Sequence, residues 1–478
     1  INNKSYNFKN NYSYNIRKLR YPIPITCAIL GSAMIQQTNN NDSNNDSNNG
    51  TNNNKVSSPN ATKKNVNYLK AKKQRKKIIK RRMEQRELNE SLGKAQKILE
   101  MECIKQGIPG CSICVIKDGT VIYTDSYGYL DVDSLIRMNA NTLMHIASIS
   151  KPMTAMGLLK LLDLGFVKNL DMDIRDIIPI NSELSHYNLI KDDNVHITLR
   201  QLLQHTSGIR HYEDPNEFLD QNNQAATPHG IELMLSSFLD GELKFEPGNG
   251  YCYSSYAYIL LGILIGYITQ IPYREYMQKY LLQDLGMSST YHESLLQKLV
   301  ANRSVQYIRE TEKRTKPRGY KDAAQRRLKI APWANISAKY SAGAYISNAV
   351  DVAIFANNCV LGDYLSDETQ KEIFENNLVK TTRNDPDDYY GLGWHVYLKS
   401  SDKISWINER KHLSNDQKIA LINFYNSINI HNIDENEPYM ISHGGGAIGG
   451  ASFVMVLPQY DIVVSCLTNL QQSNPSII

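Results

Sequence analysis

The chain has 478 residues, 41% of them hydrophobic and 21% charged, which is enough for a large core and excludes a chain that is unfolded throughout. Its formal charge of +5 hides a division: residues 1–82 carry 17 Lys and Arg against two Asp, and the remainder carries 36 basic against 46 acidic residues. The globular part is therefore acidic, and its seven scattered cysteines, an odd number, do not form a disulfide framework.

The N-terminus divides into unlike pieces. "INNKSYNFKNNYSYNIRKLR" has five basic and no acidic residues, in the style of an organelle-targeting leader. It opens on Ile1 rather than Met and so reads as incomplete. "YPIPITCAILGSAMI" follows, broken by Pro22 and Pro24 and shorter than the roughly 20 residues of a membrane-spanning helix. Residues 1–36 are thus expected to be a leader with a short apolar segment, directing the protein to mitochondria. The Asn-rich tract over 37–62 has too few apolar side chains to offset the entropy of ordering it and is expected to be a linker. Residues 63–90 form a basic arm of helical character, with 11 basic and no acidic residues in its first 20. The plain reading is a solvated arm leading into the domain, and the partner its charge would suit is an anionic membrane. No aromatic ladder or nucleic-acid motif accompanies it, so nucleic acid is not an expected partner.

From about residue 91 the pattern is globular, with a helix-like stretch ending near Gly107. "GCSICVIKDGTVIY" is two apolar runs joined by Asp118-Gly119 and reads as a β-hairpin. Its Cys111 and Cys114, three apart on a strand, face opposite sides and are core or surface thiols, not a zinc or redox pair. No HExxH, His-x-His or second CxxC occurs among the 11 histidines, so no metal or cofactor is expected.

A helix is expected from about 148 to 164, ended by Gly165, and another over "YAYILLGILIGYIT". Strands return in "GASFVMVLPQYDIVVSCLT", with a turn at Pro458–Asp461. Strands at both ends of the chain with helices between them imply an α+β fold whose antiparallel sheet is closed by its N- and C-terminal portions.

Chemistry concentrates in three places. In "HIASISKPMTAMGLL" Ser148 and Lys151 share a helix face, and the lysine side chain leans back toward the serine hydroxyl. A serine becomes a useful nucleophile when a neighbouring base takes its proton, and lysine can do this when burial or a second cation lowers its pKa. "FEPGNGYCYSSYAYILLG" sets Tyr253 just before an apolar helix, where its phenol could share protons with Lys151. "SHGGGAIGGASFVMVLP" sets His443 and three glycines at the start of a late strand, where a substrate can lie close to the sheet edge and exposed N–H groups can serve an oxyanion. Singly, each is a common pattern with a structural explanation; together, their order and spacing are hard to obtain by chance.

The trio Ser148-Ile-Ser-Lys151, Tyr253-Ser-Ser255 and His443-Gly-Gly445 resembles the three motifs of the serine β-lactamase and penicillin-binding-protein superfamily, in its class C and esterase branch. "LRQLLQHTSGIRHYEDP", "YGLGW" and "SAGAYISNAVDVAIFA" are similar as well, and the resemblance covers residues from about 90 to 470. It implies a β-lactamase/transpeptidase-like α+β fold over 91–478 with an all-helical lobe. It further implies Ser148 as acylated nucleophile, Lys151 and Tyr253 sharing acid and base work, and His443 where relatives place Lys or His beside a substrate carboxylate. The oxyanion donors would be the N–H groups of Ser148 and Gly446, with Gly445 and Ser255 lining the substrate site. His205 in "QHTSGI" and Trp394 are expected to be structural.

The sequence departs from the pattern in places. Ser255 stands where the superfamily usually has Asn, which puts lactam binding in doubt because one hydroxyl cannot both donate and accept as an amide does. Ala344 replaces the second glycine of an "AGG" loop. A polar stretch between His395 and His443 is longer than a strand connection needs, and relatives continue into a further helix beyond "LTNLQQSNPSII". The expectation is a serine hydrolase acting on a peptide or small acyl substrate. An esterase or β-lactamase of the same fold, or an assembly protein with little turnover, is the alternative, and self-association is left open. An α/β-hydrolase could claim "HGGG" but needs a GxSxG elbow, which is absent.

Overall fold

A computed structural model describes residues 90–212, 238–293, 301–309, 327–332, 336–375, 378–383, 385–399 and 437–476, with scattered positions elsewhere. The leader, the Asn-rich linker and most of the basic arm lie outside the described residues.

The first helix, α1 (residues 90–106), leads into the expected hairpin of β1 (Gly110–Lys117) and β2 (Thr120–Asp131). Asp118 and Gly119 both have positive φ, 49° and 69°, the backbone that lets a two-residue turn follow the natural twist of its strands. Further strands complete a nine-stranded antiparallel sheet: β3 (Ile136–Arg137), β4 (Val379–Lys380), β5 (Asp388–Tyr390), β6 (His395–Leu398), β7 (Pro438–Ala447), β8 (Gly450–Leu457) and β9 (Ile462–Thr468). Its order is β3-β2-β1-β9-β8-β7-β6-β5-β4. β1 pairs with β9 from Cys111 opposite Thr468 to Lys117 opposite Ile462, so the two ends of the chain do close one sheet. The turn at Pro458–Asp461 is a short 3-10 helix closed by Asp461 at φ 48°.

Alternation along β1 divides the core in two. Cys114 and Ile116 face the helical side, joining the apolar faces of α2 (Ser150–Asp163), α3 (Ser255–Thr269) and α4 (Ala349–Ala356). Cys111, Ile113 and Val115 face the other side, where Leu92, Ala95, Leu99 and Cys103 of α1 cover them. The two thiols of the CxxC are therefore buried on opposite faces, and Cys111 Sγ meets Cys466 Sγ at 3.5 Å.

α2 is the central helix: from Ser150 to Leu159 every residue is buried. Gly165 ends the segment with φ 75°, its N–H donating to the Leu162 carbonyl. α3 starts at Ser254, whose Oγ accepts from the Ala257 N–H at 3.1 Å, an N-cap that satisfies one of the first turn's free donors. α3 is apolar all round because it runs through the core.

Candidate active site

Ser148 sits in a 3-10 turn, Ala147–Ile149, that runs directly into α2. Ala147 is left-handed, with φ 47°, a strained backbone for a residue with a Cβ. It turns the chain sharply, so Ser148 is half-exposed while Ile146, Ile149 and Ser150 are buried. Lys151, one turn on, is wholly buried. Its Nζ lies 3.0 Å from Ser148 Oγ and donates to the Ala342 carbonyl at 3.0 Å. Burial first, then the charge of Lys339, hold the Lys151 amine well below the usual lysine range, which favours the unprotonated form a base requires. Lys339 belongs to the 3-10 turn Ile336–Lys339, and its stem lies beside Gly343.

Tyr253 precedes the N-cap of α3, and Lys151 Nζ stands 4.9 Å from the centre of its ring. Burial pushes its phenol up, opposed by a hydrogen bond with Ser148, so the hydroxyl keeps its proton at neutral pH. The segment is held by the "HTSGIRH" stretch. The Ser254 N–H donates to His205 Nδ1 and the Ser255 N–H to His211 Nδ1, each at 3.1 Å, while the Ser254 hydroxyl donates to the Arg210 carbonyl at 2.8 Å. Two histidines accepting consecutive backbone N–H groups clamp the strand-like entry to α3 and so present Tyr253. His205 is therefore structural, packing its ring 4.4 Å from that of Tyr253 and 4.8 Å from that of Tyr390. Ser255, the first residue of α3, is buried, and its N–H is held by this clamp.

β7 forms the opposite wall. A Cβ built on Gly445 would lie 2.3 Å from the Ile146 carbonyl oxygen and from Ser452 Oγ, and 3.1 Å from the Ser148 nitrogen. Only glycine lets the strand come this close to the nucleophile's backbone. The next residue, Gly446, is exposed, with nothing within 4 Å of its Cβ position, so the open side of β7 begins there. Ser452 of β8 locks the approach by donating to the Ile146 carbonyl at 2.7 Å.

His443 is buried on the same strand. Its Nε2 is 3.1 Å from the Tyr390 hydroxyl and its Nδ1 donates to the Gly444 carbonyl at 2.8 Å. Its ring centre is 6.4 Å from that of Tyr253 and 5.5 Å from that of His395. His395 donates through Nδ1 to Asp388 at 2.8 Å, and Tyr390 stands opposite His395 across β5 and β6. Trp394, stacked on Phe355 with ring centres 5.7 Å apart, is packing. The fold thus brings Ser148, Lys151, Tyr253, His443 and Gly445 to one place. Sequence reasoning missed Tyr390, the Asp388–His395 pair, the Ala342 carbonyl and Lys339. "YGLGW" carried a signal for the first, but their meeting depends on strand pairing.

A family model described as Beta-lactamase matches residues 76–477. The serine beta-lactamase-like protein LACTB, mitochondrial, of Homo sapiens is 25% identical over 440 residues, covering 76% of this chain and 74% of that protein. Among solved structures, the octameric penicillin-binding protein homologue from Pyrococcus abyssi superposes with a TM-score of 0.62 at 21% identity, covering 80% of this chain and 74% of that one. A D-amino acid amidase from Ochrobactrum anthropi SV3 superposes with a TM-score of 0.56 at 19% identity, over 77% of this chain and 89% of that one. The family match extends over nearly the whole described region, on an antiparallel sheet flanked by helices that these structures share, and the protein therefore belongs to the β-lactamase family of serine hydrolases.

Proposed function

We propose that the protein is a serine acyl hydrolase that cleaves a peptide or amide through an acyl-enzyme on Ser148. The observation that carries this reading is the fully buried Lys151 amine 3.0 Å from Ser148 Oγ. With its amine held well below the usual lysine range by burial and by Lys339, Lys151 takes the hydroxyl proton as Ser148 attacks the acyl carbon. The oxyanion that forms is received by the N–H groups of Ser148 and Gly446, donors fixed in the helix start and in β7 before reaction begins. Tyr253, which retains its proton, hands one to the leaving group, and Lys151 restores it. Water then enters on the same path in reverse and releases the acyl group. Gly445 and Ser255 line the substrate cleft, and Ser255 in the place of an amide disfavours β-lactams relative to peptides and esters.

The likeness to a mitochondrial protein and the acid-free basic leader together support import into mitochondria. In this reading residues 1–36 are the targeting leader, 37–62 a linker, 63–90 a basic arm suited to an anionic membrane, and 91–478 the catalytic domain. Self-association is supported by the octameric state of the Pyrococcus abyssi homologue.

The test is labelling with a fluorophosphonate probe, wild type against Ser148→Ala. The wild type is expected to label and the variant to lose labelling and turnover while keeping its circular dichroism spectrum. A folded wild type that does not label would overturn the reading.

A further inference from the structure

His443 is the site residue whose surroundings depart most from what the family resemblance implies. A carbonyl oxygen only accepts, so the proton shared with Gly444 at 2.8 Å resides on His443 Nδ1. In the neutral ring Nε2 is then an acceptor, and the Tyr390 hydroxyl donates to it at 3.1 Å. Both ring nitrogens are engaged by the protein itself, and the side chain is 1% exposed.

The charged groups that surround the ring do not favour a second proton on it. Burial is the largest cause that opposes it; a proton on His395 of β6 or on Lys151 of α2 and the charge of Arg383 in the β4–β5 connection oppose it further, and the hydrogen bond to the Gly444 carbonyl works the other way, so the imidazole is held well below the usual histidine range. The carboxylate in this corner, Asp388, is already engaged. It accepts from His395 at 2.8 Å and from Thr381 Oγ1 at 2.9 Å. Arg383, with its side chain 58% exposed, faces that same carboxylate at 3.8 Å. Of the other titratable neighbours, His205 is held well below the usual histidine range, by burial first, and Tyr253 and Tyr390 have phenols pushed up by burial and stay uncharged.

We propose that the corner of the cleft formed by His443 and Tyr390 accepts an uncharged part of the substrate, such as an internal peptide amide, an ester or an apolar chain, and rejects a free carboxylate. The proposal rests on the acyl-hydrolase reading above and gives it a substrate class. A carboxylate brought against His443 and Tyr390 would give up its water and find side chains whose hydrogen bonds are already made to each other and to Gly444, the costly way to bury a charge. Tyr390 becomes a positioning residue, because its hydroxyl fixes the tautomer and direction of His443.

The experiment uses two boronic acids that form reversible adducts with a nucleophilic serine and differ in one group, 3-carbamoylphenylboronic acid and 3-carboxyphenylboronic acid. Each competes with a fluorophosphonate for Ser148 in the full-length protein. In the wild type the carbamoyl compound is expected to compete about tenfold better, the size of effect given by an unpaired buried charge. His443→Lys, which supplies the missing cation, should close or reverse that preference. His443→Gln, which keeps a polar neutral side chain and serves if the buried lysine does not fold, should preserve it. A wild type that favours the carboxylate overturns the inference, and loss of that preference in Arg383→Gln would assign the anion to the guanidinium instead. Failure of the fluorophosphonate to label Ser148 at all would remove the hydrolase reading, and this inference with it.

Discussion

The two walls of the cleft are built in different ways. On the helical wall, Ser148 and Lys151 meet because they lie one turn apart in a single buried helix start, and Tyr253 is added by the capped entry to a second helix. On the sheet wall, His443, Tyr390, His395 and Asp388 come from three strands, and their contacts exist only because β5, β6 and β7 pair in one register. In the proposed mechanism the helical wall carries the groups that change charge during the reaction. The sheet wall carries groups held in place by one another's hydrogen bonds. A hydrolase of this kind separates the moving proton from the scaffold that shapes the substrate, and substitutions on the two sides should differ in kind.

The largest effect is expected at Lys151. Lys151→Arg keeps a positive charge but cannot act as a base, since guanidinium stays protonated. Its fluorophosphonate labelling rate should fall by about 10²-fold or more. A rate within threefold of wild type would mean that the helical wall does not hold the base. Tyr253→Phe should follow, with a loss of about 10- to 100-fold in turnover that is larger for amide than for ester substrates, because only the poorer leaving group needs a proton. Equal losses on both would remove Tyr253 from the acid role.

On the sheet wall the expected signature is distortion. Gly445→Ala places a methyl 2.3 Å from the Ile146 carbonyl and from Ser452 Oγ, so β7 must move away from Ser148. A stability loss of about 1–3 kcal/mol should appear in urea unfolding, together with slower labelling even though no reacting side chain has changed. An unaltered labelling rate would show that the close approach of β7 is not needed for chemistry.

The most distributed effect is acid sensitivity. His443, His205, His395 and His145 are held below the usual histidine range by burial, and His292 is lowered to about 3. The unfolded chain takes up these protons near pH 6.5 and the folded chain does not, so the unfolded state binds more protons and stability rises with pH. The stabilisation is complete above about pH 6.5 and is lost as pH falls below it, with a slope of up to about 1.4 kcal/mol per pH unit for each histidine. Thermal unfolding between pH 7.5 and 4.5 should show the decline. A flat profile would mean that the buried rings are already protonated in the folded protein.

The helical wall was legible in the sequence because helix contacts are local. The spacing from Ser148 to Lys151, the apolar run after Tyr253 and the stop at Gly165 specify their geometry within a few residues. The hairpin at Asp118-Gly119 and the turn at Pro458–Asp461 were legible for the same reason. Tyr390, Asp388 and His395 were not, because a strand sequence states which residues alternate but not which distant strand they will face. Lys339 gave no local signal, since its influence on Lys151 arises only when the turn Ile336–Lys339 packs beside the start of α2. The "HTSGIRH" segment lay between: its histidines were expected to be structural, but the clamp on Ser254 and Ser255 required the fold to see it.

The order of strands also times the protein's own assembly. Cys111 and Cys466, 355 positions apart, touch, and β1 finds one of its two neighbours in β9, the last of the described strands. A nascent chain that has completed α2 and α3 holds the nucleophile and its base, yet lacks the strand that approaches Ser148 from the other side. Contacts this distant in sequence are slow to form, since the loop must close before it is rewarded. In the proposed mechanism, a growing polypeptide therefore completes its site only when β7 and β8 have paired beside the start of α2.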